Sequence, residues 1–176
     1  KRMNKDTIYA SLTKNQKTAI SIIRVSGSQT KTILKKFLKK KVKSKETNLR
    51  NIYDSNGEFI DQGLILFFSK PHSPTGEDVI EFHVHGSISI IKKIELELDK
   101  IKYVREAEPG EFTKRSLQND KIDLLQAEGL DDLLEASTET QRKRAQLAFM
   151  GSVSSKLFDW RDELIEISSY LETSID

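Results

Sequence analysis

The 176-residue sequence contains no cysteine, which excludes disulfides, a thiol nucleophile and any cysteine-ligated zinc site. No apolar run approaches the ~20 residues of a membrane-spanning helix, and the lysine-rich start lacks the apolar stretch of a secretory signal; the sequence reads as a cytoplasmic protein. Neither G-x-x-x-x-G-K-[ST] nor G-x-G-x-x-G occurs, so nothing in these residues binds a nucleoside triphosphate or a dinucleotide by a glycine-loop mechanism. What is present, 32% charged and 36% apolar residues, suits a soluble globular protein. The length allows one sizeable core, or a compact domain plus part of a second.

The net charge of +2 conceals an asymmetry. Residues 1–60 hold 15 Lys and Arg against 4 Asp and Glu, whereas residues 61–176 hold 14 against 23. The densest basic run is KKFLKKKVKSK, Lys35 to Lys45. Clustered lysines attract phosphate, which admits an anion- or nucleic-acid-binding reading. The plainer reading is the solvated face of a helix, because Ile33, Leu34, Phe37 and Leu38 recur at helical spacing on the other side.

Local patterns predict the elements. TAISIIRVSG, Thr18 to Gly27, is apolar and β-branched and reads as a buried strand with Arg24 at its end. Ser28 is positioned to cap a helix running to about Lys40. LRNIYD and QGLILFFS form two strands joined by an Asn56-Gly57 turn, and SISIIKKIELELDK spaces its apolar residues for an amphipathic helix. Beyond Pro109 helical patterns dominate: LLQAEGLDDLLEAS is one helix, and Glu139 to Ile175 reads as another. Along the latter, Leu157, Trp160, Leu164, Ile167, Leu171 and Ile175 make an apolar stripe that calls for a partner helix. The domain boundary falls near residue 120.

Two stretches carry candidate chemistry. In TGEDVIEFHVHG, Thr75 to Gly86, strand alternation puts Val79, Glu81, His83 and His85 on one face and Ile80, Phe82 and Val84 on the other. A carboxylate and two of the three histidines in one row admit a metal site, acid/base catalysis, a ligand clamp, or a solvated strand face. No serine or cysteine nucleophile motif lies nearby to favour catalysis. In PGEFTKRSLQNDKIDLLQAE, Pro109 suits the first helical position and Glu111 the first turn. Lys114 and Arg115 read as surface charges, and Lys121 sits at the Asn119-Asp120 break, exposed or reaching into a cleft. The residues alone stop at an α+β domain with a polar strand face.

Three blocks together resemble the start of the tRNA modification GTPase family called MnmE or TrmE. They are DTIYA with AISIIRVSG (Asp6–Ala10, Ala19–Gly27), SPTGEDVIEFHVHG (Ser73–Gly86) and PGEFTKRSLQNDKIDLLQAEGLDDLLEAS (Pro109–Ser137), in matching order over nearly the whole chain. The resemblance implies an α+β fold. Residues 1–120 would form a mixed-sheet domain similar to folate-binding aminomethyltransferase domains, binding tetrahydrofolate and dimerising. Residues 121–176 would be the first part of a helical domain whose Ras-like G domain and Cys-containing motif lie outside this chain.

It further implies that Arg24, Glu81 and Lys121 contact a tetrahydrofolate derivative, in its 5-formyl or 5,10-methylene form. Glu81 would accept the pterin's adjacent N–H donors side by side, and the two cations would face its carbonyl or carboxylate oxygens. With that ligand on this strand face, a metal at Glu81, His83 and His85 is not expected, and no catalytic residue of GTP hydrolysis lies in the chain. GTP, magnesium and potassium would belong to the G domain. The whole protein would act as a homodimer with the FAD-dependent partner MnmG, installing an aminomethyl-type group at uridine 34 of tRNA. The family's usual T-P-x-G-x-G loop is replaced by TKNQKTAIS, Thr13 to Ser21; Ser87 follows Gly86 where a second glycine is usual, and Ser116-Leu117-Gln118 replaces Ala-Phe-Leu. Two other classes stay open: a stand-alone folate-dependent aminomethyltransferase-like enzyme, and a basic RNA-binding module without folate.

Overall fold

The computed structural model describes residues 6–13 and 18–175. Residues 14–17 of the altered loop lie outside the described residues. The chain divides into two compact units, Lys1–Asn119 and Asp120–Asp176.

The first unit is built on a mixed six-stranded sheet in the order β3-β4-β5-β2-β1-β6. The strands are β1 (Thr7–Ser11), β2 (Ile20–Ser26), β3 (Asn48–Tyr53), β4 (Phe59–Phe68), β5 (Val79–His85) and β6 (Val104–Glu106). Neighbours run antiparallel except the parallel β1 and β6. Three helices accompany them: α1 (Thr30–Phe37), α2 (Ile88–Asp99) and α3 (Glu111–Gln118). The fold is α+β. Alternation places Ile23, Val25, Ile65, Phe67, Ile80, Phe82 and Val84 on one face of the central strands, where Ile33 and Phe37 of α1 and Ile94 and Leu98 of α2 close over them. The Phe37 and Phe82 rings meet at 5.7 Å between centroids. Burying a side chain of this size contributes about 1.5–3 kcal/mol each, which makes this layer the main adhesive of the unit.

Local signals explain most boundaries, and the exceptions have identifiable causes. Helix α1 starts at Thr30 rather than after a Ser28 cap, because Thr30 Oγ1 donates to Gly27 O at 2.6 Å and to Asp78 O at 3.0 Å. It stops at Phe37, short of Lys40, because Leu38 is extended and turns its side chain into the core. Strand β4 begins at Phe59, three residues before the apolar run, once the Asn56-Gly57 turn has reversed the chain. Pro109 lies outside α3, whose N-cap is Gly110 at φ +72°. Strands β1 and β6 are too short to show an alternation of their own and form by pairing with neighbours.

The second unit consists of α4 (Leu124–Glu135), α5 (Glu139–Phe149) and α6 (Ser152–Ile175). Capping boxes begin two of them: Asp123 with Gln126 for α4, and Thr138 with Gln141 for α5, which satisfies otherwise orphaned N–H groups. The single helix expected over 139–175 is broken at Gly151. That residue adopts φ +79°, a conformation glycine takes without steric penalty, and Met150 and Gly151 donate back to Gln146 O and Ala148 O. Packing covers little of α6: Leu157, Trp160, Leu164, Ile167 and Leu171 are 43–64% exposed.

Candidate functional site

Antiparallel pairing of β2 and β5 sets Arg24 directly opposite Glu81. Arg24 Nε donates to Glu81 Oε1 at 2.9 Å, and Nη2 lies 2.8 Å from the same oxygen. His83, two residues along β5 and therefore on the same face, brings Nε2 to 3.2 Å from Oε2. The carboxylate is thus held from both sides. Its side chain is 11% exposed, against 28% for Arg24, and Val79 on the same row is fully buried. The strand face is therefore covered, not solvated, around Glu81. Part of the cover is α3: the Arg24 guanidinium stands 5.7 Å from the centre of the Phe112 ring, within cation–π range.

His85 does not join this cluster. Its Nδ1 is 2.8 Å from Asp61 Oδ1, and its backbone N–H donates to Asp61 Oδ2 at 2.9 Å. Glu81 and the two histidines consequently do not converge. No group of three or more His, Cys, Asp or Glu side chains arranged for a metal ion occurs among the described residues.

Arg115 overturns the surface-charge reading of its stretch, while Lys114 is exposed as expected. Arg115 is only 1% exposed and heads the largest fully buried side chains. Its Nη1 donates to Asp6 O at 2.9 Å and Glu77 Oε2 at 3.0 Å, and its Nη2 to Glu111 Oε1 at 3.0 Å. Glu77 in turn accepts from Ser26 Oγ at 2.7 Å, two residues beyond Arg24. Ser116 Oγ and Asn119 Nδ2 add bonds to Pro74 O and Thr75 O. These contacts tie α3 to the 73–78 loop and to the end of β2, which fixes Phe112 against Arg24. Burial alone would raise the Glu111 carboxyl, but hydrogen bonds from Arg105, the Glu108 N–H and Arg115 outweigh it and hold it down at about 2.

Of the three residues singled out from the sequence, Arg24 and Glu81 are brought together in the first unit. Lys121 belongs to the second, in the turn between Asp120 at φ +54° and the Asp123 cap of α4. Sequence reasoning missed Phe112 and Arg115. The Glu111 and Arg115 spacing of four was the available sign of a paired rather than a solvated arginine.

The family model described as "GTP-binding protein TrmE N-terminus" matches residues 7–121, and that of the "MnmE helical domain" matches residues 124–176. The chain belongs to the MnmE/TrmE family of tRNA modification GTPases. A tRNA modification GTPase MnmE from a Ruegeria species is 39% identical over 171 residues, covering 97% of this chain and 40% of its own length. MnmE of Dinoroseobacter shibae is 42% identical with the same coverage. The mitochondrial tRNA modification GTPase gtpbp3 of Dictyostelium discoideum is 42% identical over 180 residues, 98% of this chain and 35% of its own. The chain thus spans about two fifths of the length of the curated MnmE relatives it matches.

Proposed function

We propose that this chain binds a tetrahydrofolate derivative, 5-formyl or 5,10-methylene, through Glu81, Arg24 and Lys121. We further propose that the whole protein is a tRNA modification GTPase that draws on this carrier for aminomethyl-type modification of wobble uridine 34. The observation that carries the reading is the Glu81 carboxylate, nearly buried yet held in place by Arg24 and His83. A charge is costly in such a setting unless it is paired, and here Arg24, itself 28% exposed, supplies the partner.

The donor set fits a folate. Oε1 accepts from Arg24 Nε with Nη2 2.8 Å away, while Oε2 has, among the described residues, only His83 Nε2 beside it, so the carboxylate keeps acceptor capacity for an adjacent pair of ring N–H donors. Phe112 and the partly buried Ile22 and Leu66 on this sheet face supply apolar surface for a flat ring. Arg24, the more exposed partner, turns its charge toward ligand oxygens, and Lys121 provides a second cation. Folate, when bound, supplies the one-carbon unit. The protein acts as a homodimer with the FAD-dependent MnmG on tRNA, and GTP, magnesium and potassium are held by a G domain outside these residues.

Titration calorimetry of this chain with 5-formyltetrahydrofolate tests the reading. Saturable binding at one equivalent per chain is expected; the absence of binding up to millimolar ligand overturns it.

A further inference from the structure

We propose that α1 and the segment that follows it, residues 31–45, form a docking surface for the phosphate backbone of RNA. Eight lysines and no acid occupy these fifteen positions, and all eight are exposed. Lys31 faces Asp78 and Lys43 faces Glu46, and Lys39 lies over the Tyr53 ring at 3.8 Å. Among the described residues, Lys35, Lys36, Lys40, Lys41 and Lys45 have no acidic partner. Since residues 61–176 carry an excess of acid, the positive potential is concentrated here, as a site for a polyanion requires.

The segment is held in shape. Asn48 Nδ2 donates to Lys43 O and Glu46 O, Arg50 Nη2 to Lys41 O, and the Lys45 N–H to Phe67 O. Binding therefore does not have to order the backbone that carries these lysines, a cost that a disordered basic tail bears in full. The apolar side chains of the stretch identify the partner by where they point. Ile33, Phe37 and Leu38 lie in the core and Leu34 and Val42 pack against it, so the exposed residues of the stretch are the eight lysines and Thr32. Basic helices that lie on membranes present apolar residues beside their charges, and this surface has none to insert. It offers no arginine fork to read base edges either. A phosphate backbone read without regard to sequence matches what remains. The choice of RNA among polyanions rests on the tRNA-modification reading above; the surface itself does not.

Phe37 and Phe82 share the core face, whereas Glu81 points to the opposite one. The lysine surface and the Arg24–Glu81 pair consequently lie on opposite sides of the sheet, and both ligands can be held at once.

Fluorescence anisotropy of the chain with an unmodified tRNA transcript, between 50 and 200 mM salt, tests the surface. The wild-type affinity should fall on the order of 10²-fold over this range, as several neutralised phosphates imply. The triple variant Lys36→Gln, Lys40→Gln, Lys41→Gln should flatten the log–log salt slope by about 2–3, at roughly 0.7–0.9 per phosphate contact, and weaken binding more than tenfold at 50 mM. A control of equal charge, Lys102→Gln, Lys143→Gln, Lys156→Gln, should keep the wild-type slope. Four results overturn the proposal: no tRNA binding by the wild type at 50 mM, no loss in the first variant, equal losses in both, or tighter binding to phosphatidylserine vesicles than to RNA. Folate affinity in the first variant should match the wild type. If folate binding is absent while the RNA results hold, the folate reading fails and the docking surface stands.

Discussion

Arg115 and Glu77, 38 residues apart in sequence, meet at 3.0 Å beside the end of β2, with the arginine side chain almost entirely removed from solvent. Replacing Arg115 with leucine leaves Glu77 and Glu111 partly buried without this cation. Removing one partner of a buried ion pair typically costs 3–5 kcal/mol, and a loss of that size is expected in urea unfolding. The conservative Arg115→Lys should recover only part of it, because a single ammonium cannot reproduce a guanidinium that bonds Asp6 O, Glu77 and Glu111 together.

The same network gives the first unit a defined acid limb. Glu111 has a folded carboxyl at about 2, below its ordinary value of 4.5, so the unfolded chain takes up its proton first. The stabilisation is therefore complete above pH ~4.5 and is lost as pH falls toward 2, amounting to about 3 kcal/mol. Unfolding free energies measured from pH 6 to 2 should decline over that window, and Glu111→Gln should remove this part of the decline while lowering stability at pH 6.

What was legible in the sequence is what short-range periodicity encodes. The β5 row, the β3–β4 hairpin and the apolar faces of α1 and α2 follow from alternation and helical spacing within a dozen residues. The burial of Arg115 was not legible because two of its acceptors, Asp6 O and Glu77, lie 109 and 38 residues away; the spacing of four to Glu111 signals a pair but not removal from solvent. The break at Gly151 was hidden for a different reason. One glycine inside a long helical pattern is tolerated as often as it ends a helix, and only the backbone conformation decides. The opposition of Arg24 and Glu81 spans 57 residues, so the candidate pair entered through the family pattern, and strand register then gave it a geometry.

Helix α6 should behave differently from the rest of this chain. Leu157, Trp160, Leu164, Ile167 and Leu171 expose 43–64% of their surface, and a helix without apolar burial lacks the packing that stabilises most helices in proteins. Hydrogen exchange of the 176-residue chain should show amides of 152–175 exchanging orders of magnitude faster than those of β2 and β5. Slow exchange along α6 in a chain that sediments as a monomer would contradict this.

Calorimetric titration of 5-formyltetrahydrofolate into wild-type and Glu81→Gln protein of equal thermal stability decides whether Glu81 anchors a folate. The glutamine keeps the shape but replaces a charged double acceptor by one acceptor and one donor. Loss of a charged hydrogen bond is worth about 1.5–3 kcal/mol, so the account predicts an affinity roughly ten- to a hundredfold weaker in the variant; an unchanged affinity in the folded variant would contradict it.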